Sequence, residues 1–222
     1  MKQIHKLKFR TKNELVYEEL RRLIVSGSFE PEERLFIKYL ARDLDVSESP
    51  IREAIKRLIS ENFVVEKGIN LFVAPLSAGQ FIDMLDIRLQ LELIAIRQTA
   101  RCVSESDIEL LKCEIDAMKE AIAEEDLARY RTLHSDFHKS CFELCNIPYL
   151  TSALKEASDH HERGINIFKL KPWRKSPDVE QHEKILNMLI VHDENGAARE
   201  WEKNRKKAFD FYSEQLKNKG RL

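Results

Sequence analysis

The chain has 222 residues, with 37 Lys and Arg against 38 Asp and Glu, a formal net charge of −1 and a hydrophobic content of 43%. That composition excludes a membrane-spanning protein, because no apolar run approaches the roughly 20 residues a span needs. Only 6 Gly and 6 Pro argue against disorder and against an all-β fold. A charge near zero gives no bulk attraction to nucleic acid, so any such affinity must come from a local patch.

The N-terminal stretch from Met1 to Arg10 has no apolar segment of the kind a secretory signal needs. With Lys2, Lys6, Lys8, Arg10 and Lys12 it reads as a basic arm. Asn13 to Ser26 follows as an amphipathic helix with Leu15, Val16, Leu20, Leu23 and Ile24 on its apolar stripe, stopping at Gly27. A short helix over Ile37 to Leu44 leads across a tight turn into a second helix, for which Ser47 is the expected N-cap. There Ile51, Ala54, Ile55 and Leu58 recur at helical spacing, which leaves Arg52, Lys56 and Arg57 near the opposite side. Pro50 is tolerated in the first turn. This is a helix-turn-helix, whose second helix can enter a DNA major groove. Phe63–Lys67 and Leu71–Ala74 predict two strands turning at Gly68-Ile69-Asn70, which completes a winged helix-turn-helix.

From Ser77 onward the pattern is helix after helix. The candidates are Ala78–Cys102, Glu105–Glu124, Leu127–Cys145, Tyr149–Leu170, Pro177–His192 and Ala197–Lys217. Ser77, Ser104, Asp126 and Ser176 are candidate N-caps, and Asn195-Gly196 suggests a sharp reversal. The expected fold is therefore mainly α. A winged helix-turn-helix over 1–76 (three helices plus a β-hairpin) precedes an all-helical antiparallel bundle of six or seven helices over 77–222. Cys102, Cys113, Cys141 and Cys145 lack Cys-x-x-Cys spacing and read as buried reduced thiols, which implies the cytoplasm. Trp201 falls on a core position, Trp173 in a loop, and His5 and His192 at the surface. His160 and His161 are adjacent, so at most one can enter a pocket.

The sharpest chemical signal is His134-Ser135-Asp136-Phe137-His138. Positions four apart share a helix face, so the two imidazoles can stand side by side. Asp136 lies about 200° around the helix from each and points away. Spacing alone leaves two readings open, a metal site or polar core histidines paired with backbone or with one another.

The N-terminal residues Pro31, Leu35, Leu40, Ala41, Leu44, Val46, Ser47, Pro50, Arg52, Glu53, Ala54, Leu58 and Phe72-Val73 resemble the DNA-binding domain of the GntR superfamily of bacterial regulators. Arg88 with Glu92, Phe137-His138, Asn146 to Leu150, and His182 resemble the FCD effector-binding domain of its FadR-type branch. The resemblance implies DNA contacts at Lys38, Ser47, Glu48, Ser49, Arg52, Lys56 and Asn70. Three positions depart from the family pattern. Glu48 stands where Arg is common after the capping Ser, Asp45 replaces the turn Gly, and Ile69-Asn70 replaces the wing-tip Arg-Gly. Arg52 suits a bidentate bond to guanine, and Lys38 suits a phosphate. Glu48 suits a cytosine amino group or simply the positive helix end.

The resemblance also implies a metal site of one Asp and three His, which falls here on His134, His138, His182 and Asn204. An amide thus replaces the last His, and a His replaces the Asp. Three imidazoles favour Zn²⁺ or Ni²⁺ over Mn²⁺ or Mg²⁺. Losing the carboxylate favours an anionic effector, a small organic acid that Arg88 and Arg163 would help to bind. The expected protein is a non-enzymatic, cytoplasmic, homodimeric regulator, a repressor first, of a pseudo-palindromic operator. A metal-ion sensor and a metalloenzyme fused to a DNA-binding module are the alternatives.

Overall fold

The computed structural model of the protein describes residues 11–171 and 179–222. His5, Trp173, the Ser176 cap and all of the basic arm before Thr11 lie outside the described residues. The chain forms two compact units, one of residues up to Ser77 together with Glu162–Lys169, the other of Ala78–His161 and Leu170–Leu222.

The first unit opens with α1 (Lys12–Val25), one residue earlier than the apolar stripe suggests. Thr11 is its N-cap. Its hydroxyl accepts from the Glu14 amide and the Glu14 carboxylate accepts from the Thr11 amide, a reciprocal capping box. Gly27 (φ +76) follows in the left-handed region that glycine tolerates best. Next come β1 (Arg34–Leu35), α2 (Ile37–Asp43) and α3 (Glu48–Ser60). Asp45 turns the chain between the two helices at φ +50, taking the left-handed conformation in place of a glycine. Ser47 has the extended backbone of an N-cap, but its side chain makes no capping bond.

The wing is β2 (Val64–Lys67) and β3 (Asn70–Val73), antiparallel with Lys67 opposite Asn70. The two-residue turn Gly68-Ile69 has glycine at its first position with φ +64, where such hairpins need it. Asn70 is therefore a strand residue, not part of the turn. The sequence reading also lacked β1. Arg34 pairs with Phe72 and Leu35 with Leu71, so the sheet has three strands in the order β1-β3-β2. The stripes of α1 and α3 meet in a core of Leu20, Ile24, Ile51, Leu58, Phe63 and Val73.

Among its described residues the second unit holds helices α4 (Ala78–Cys102), α5 (Glu105–Ala123), α6 (Leu127–Glu143), α8 (Glu180–Ile190) and α9 (Glu194–Asn218), with α7 (Pro148–Ile167) up to His161. α4 packs along α9, α5 along α6, and α8 along α9. Ile96, Leu111, Met118, Phe137, Leu189 and Trp201 are fully or almost fully buried between them. Ser104 and Asp107 form a second capping box, and Asp126 caps α6 by accepting from the Arg129 amide at 2.9 Å. Asn195-Gly196 is not a reversal. Asp193 caps α9 by accepting from the Gly196 amide at 2.8 Å, so the helix starts three residues earlier than expected. Cys141 and Cys145 are buried, but Cys102 and Cys113 are exposed, because they fall on outward positions of α4 and α5. No helix among the described residues is long and apolar enough to cross a membrane.

Candidate functional site

Two regions carry polar groups that core packing does not require. The first is the outer face of the helix-turn-helix. Burial of Ile51, Ala54, Ile55 and Leu58 turns Glu48, Ser49, Arg52, Glu53 and Lys56 outward, and all five are exposed. Ser47 and Lys38 are exposed as well. Two of the cations on this face have carboxylate partners. Arg52 Nη2 donates to Glu48 Oε2 at 2.7 Å and Lys56 Nζ to Glu53 Oε1 at 2.9 Å. Arg57 instead belongs to a structural knot, stacked 3.7 Å over the Tyr17 ring and bonded to Glu61 at 3.0 Å. The Tyr17 hydroxyl donates to the same carboxylate at 2.6 Å, and burial with that contact raises its pKa, so it stays a donor. Asn70 Oδ1 accepts from Arg34, which fixes the base of the wing, while Ile69 at the tip is fully exposed.

The second region lies inside the helical unit. α6 sets His134 and His138 one turn apart with ring centroids 4.6 Å from each other. α8 supplies His182, whose ring lies 4.9 Å from His134 and 5.4 Å from His138. One donor nitrogen from each of the three falls within 4.8 Å of the others. His138 and His182 are buried and His134 is partly so. α9 brings Trp201 to 4.7 Å from the His138 ring, with Asn204 buried one turn further on. The four residues that the resemblance singled out thus come from α6, α8 and α9 of one unit.

Beside the imidazoles is a buried ionic cluster. Glu92 of α4 is fully buried and takes four donors. Arg88 Nε and Arg205 Nη2 reach Oε1 at 2.8 and 3.0 Å, while Arg205 Nε and Trp201 Nε1 reach Oε2 at 2.8 and 3.0 Å. Burial alone would raise the Glu92 pKa, but Arg205 and Arg88 outweigh it and hold the carboxyl below its ordinary range. Burial lowers Arg88 to about 10, against the pull of Glu92, so it remains a cation at neutral pH. Among the described residues, two guanidinium groups against one carboxylate give this cluster one net positive charge. Burial, then His134, Arg205, His182 and Arg88, push His138 well below its ordinary value, so it is a neutral imidazole. His161 is the inward member of its pair, stacked on Phe81 at 6.1 Å and 5.5 Å from the Tyr212 ring. Arg163 does not join this region. It is grouped with the first unit, and its guanidinium donates to the Ala74 carbonyl.

Arg205 and the indole N–H of Trp201 are the participants that sequence reading missed. Trp201, Asn204, Arg205 and Ala208 do recur at helical spacing, but that spacing alone does not tell a buried cation from a solvated one.

The donor set fits a divalent ion. Nitrogens bound to one tetrahedral zinc at about 2.05 Å stand about 3.4 Å apart. His138 Nε2 and His182 Nε2 are 3.4 Å apart. A hydrogen bond between the rings accounts for that spacing equally well. His138 Nδ1 and Asn204 Nδ2 are buried without a hydrogen-bond partner among the described residues, and an ion on the Nε2 pair would satisfy neither, so they mark a polar interior open to a further group rather than the ion itself. Such groups cost about 1–3 kcal/mol each unless something satisfies them.

Both halves of the chain match known families. The family described as "Bacterial regulatory proteins, gntR family" matches residues 12–69, and the FCD domain matches residues 83–203. The Nta operon transcriptional regulator of Aminobacter aminovorans is 31% identical over 183 residues, covering 79% of this chain and 82% of that one. The HTH-type transcriptional regulator McbR of Escherichia coli is 23% identical over 184 residues, covering 82% and 83%. The solved structure titled E. coli McbR/YncC covers 94% of this chain and 100% of its own, at 20% identity and a TM-score of 0.72, and so shares the fold. With a winged helix-turn-helix matching the one family model and an all-helical unit matching the FCD domain, this chain belongs to the GntR family of bacterial regulatory proteins, of the FadR type.

Proposed function

We propose that the chain is a cytoplasmic transcription regulator, a repressor in the first instance, whose grip on operator DNA is altered by a small organic acid bound in the helical unit. The single observation that carries the ligand class is the uncompensated positive charge of Arg88, Glu92 and Arg205 beside three clustered imidazoles. A buried net cation needs an anion, and a carboxylate meets both a guanidinium and a metal ion well. His134, His138 and His182 would hold Zn²⁺ or Ni²⁺, with Asn204 as a weaker oxygen ligand. The ion would supply a Lewis-acidic anchor for the effector, and Arg88 would orient the opposite end. Glu92, the carboxylate of the ionic cluster, is saturated with donors and so is not available as a general base there. On the DNA side, α3 would lie in the major groove with Arg52 on a base edge, while Lys38, Ser47, Ser49 and Lys56 take phosphates and Asn70 supports the wing. Two copies related by a two-fold axis would meet two half-sites.

Calorimetry with acetate, malate and citrate on zinc-loaded and metal-stripped protein tests the effector reading. Binding of one acid at least about 10-fold tighter to the loaded form, together with altered affinity for a selected duplex, supports it. Equal affinity in both forms overturns the metal bridge. A duplex affinity that follows zinc alone replaces the organic acid with the ion as the signal.

A further inference from the structure

We infer that Glu48 sets the sequence preference of α3 by holding Arg52 in one orientation and by demanding an amino-bearing base beside the guanine that Arg52 reads. The inference rests on α3 lying in the major groove as proposed above.

Glu48 is the first residue of α3 and Arg52 stands one turn later on the same outward face. The guanidinium Nη2 donates to Glu48 Oε2 at 2.7 Å, with side-chain exposures of 57% for Arg52 and 47% for Glu48. One N–H is thereby spent on the carboxylate. The fork keeps enough donors to take guanine O6 and N7 together. Its plane is now set by a neighbour on its own helix, so less freedom is lost when the base bonds form.

The carboxylate itself is an acceptor only. In the major groove just two groups can satisfy it, the N4 amino group of cytosine and the N6 amino group of adenine. Guanine offers N7 and O6, and thymine offers O4, all acceptors. On the strand that Glu48 faces, guanine and thymine therefore meet it acceptor to acceptor, and the nearby phosphates repel it at every site. A correct amino base offsets that repulsion and a wrong one does not, which is discrimination by penalty. The rest of the face follows the same logic. Glu48, Arg52, Glu53 and Lys56 sum to zero charge, so this face of α3 gains little net attraction to phosphate. Because the Glu48–Arg52 pair is exposed, it is weak and can be rearranged by DNA at small cost.

Selection from a pool of random duplexes, run with the full chain and with Glu48→Gln, Glu48→Ala and Arg52→Ala, tests this. The native protein is expected to select a guanine with cytosine or adenine at one neighbouring position in each half-site. Glu48→Gln, which can both donate and accept, should lose about 5- to 10-fold of the discrimination at that neighbouring position alone. Its affinity for random duplex should rise and the salt slope should steepen by about 1. Glu48→Ala should lose the neighbouring preference and also loosen the guanine preference, as Arg52 loses its support. If both Glu48 variants select the native pattern while Arg52→Ala erases the guanine, the inference is wrong and the groove placement stands. If Arg52→Ala also leaves the pattern intact, the groove placement fails and takes the inference with it.

Discussion

Two Arg–Glu pairs at the same four-residue spacing sit in opposite surroundings. Glu48 and Arg52 on α3 are four residues apart with a 2.7 Å contact, each about half exposed. Arg88 and Glu92 on α4 are four apart with a 2.8 Å contact, and Glu92 is fully buried. Distance and chemistry barely differ, so the environment decides what each pair does. In water the attraction is screened and exposed pairs are worth about 0–1 kcal/mol. In the interior the charges have left water at a cost of several kcal/mol each, and every remaining partner becomes necessary. The exposed pair is thus suited to exchanging partners with DNA, and the buried one to holding a rigid cationic lining.

The sharpest way to break that comparison is to neutralise one acid of each pair. Glu92→Gln leaves Arg88 and Arg205 buried without compensation. It should cost about 3–5 kcal/mol, read as a lower midpoint in urea unfolding followed by Trp fluorescence. A loss below about 1 kcal/mol would mean that the interior is wetter than the packing implies. Acid sensitivity comes next. The folded pKa of Glu92 lies below its ordinary 4.5, so its contribution is complete above that value and is lost as pH falls through the lower folded value. Native protein should therefore lose stability steeply on acidification below about pH 4.5, and Glu92→Gln should flatten that slope. The smallest expected effect is on the other pair. Glu48→Gln should change stability by only about 0.3–0.5 kcal/mol in the same unfolding experiment, while its DNA selection changes.

The helices were legible where a stripe and a cap coincide. α5 shows its Ser104 cap, its first-turn Asp107 and its apolar repeat together, and it begins where those signals place it. Signals that local chemistry can satisfy in two ways misled. Asn195-Gly196 is a turn dipeptide, yet Asp193 captures the Gly196 amide first. Any larger residue at 196 would also have to displace the Met188 sulfur, which a Cβ would approach to 2.6 Å. β1 could not be read at all, since two residues carry no periodicity and their pairing partners lie 36 or more positions away. The histidines of the candidate site came from spacing and family pattern. Glu92's partners Arg205 and Trp201 are brought in from α9, more than 100 residues along the chain, and a cation in a helical stripe reads as solvated unless tertiary packing buries it.

β3 sits at the centre of the small sheet, paired on both sides, with only Gly68 and Ile69 projecting beyond the ladder. A strand gripped from two edges cannot slip by one residue without turning its core side chains outward. Gly68 and the two-residue length of the turn belong to that grip, which leaves the fully exposed Ile69 as the position able to change in size or charge with little risk to folding. In the proposed placement on DNA, that one side chain is where a descendant of this chain could adjust its hold while the scaffold stays unaltered.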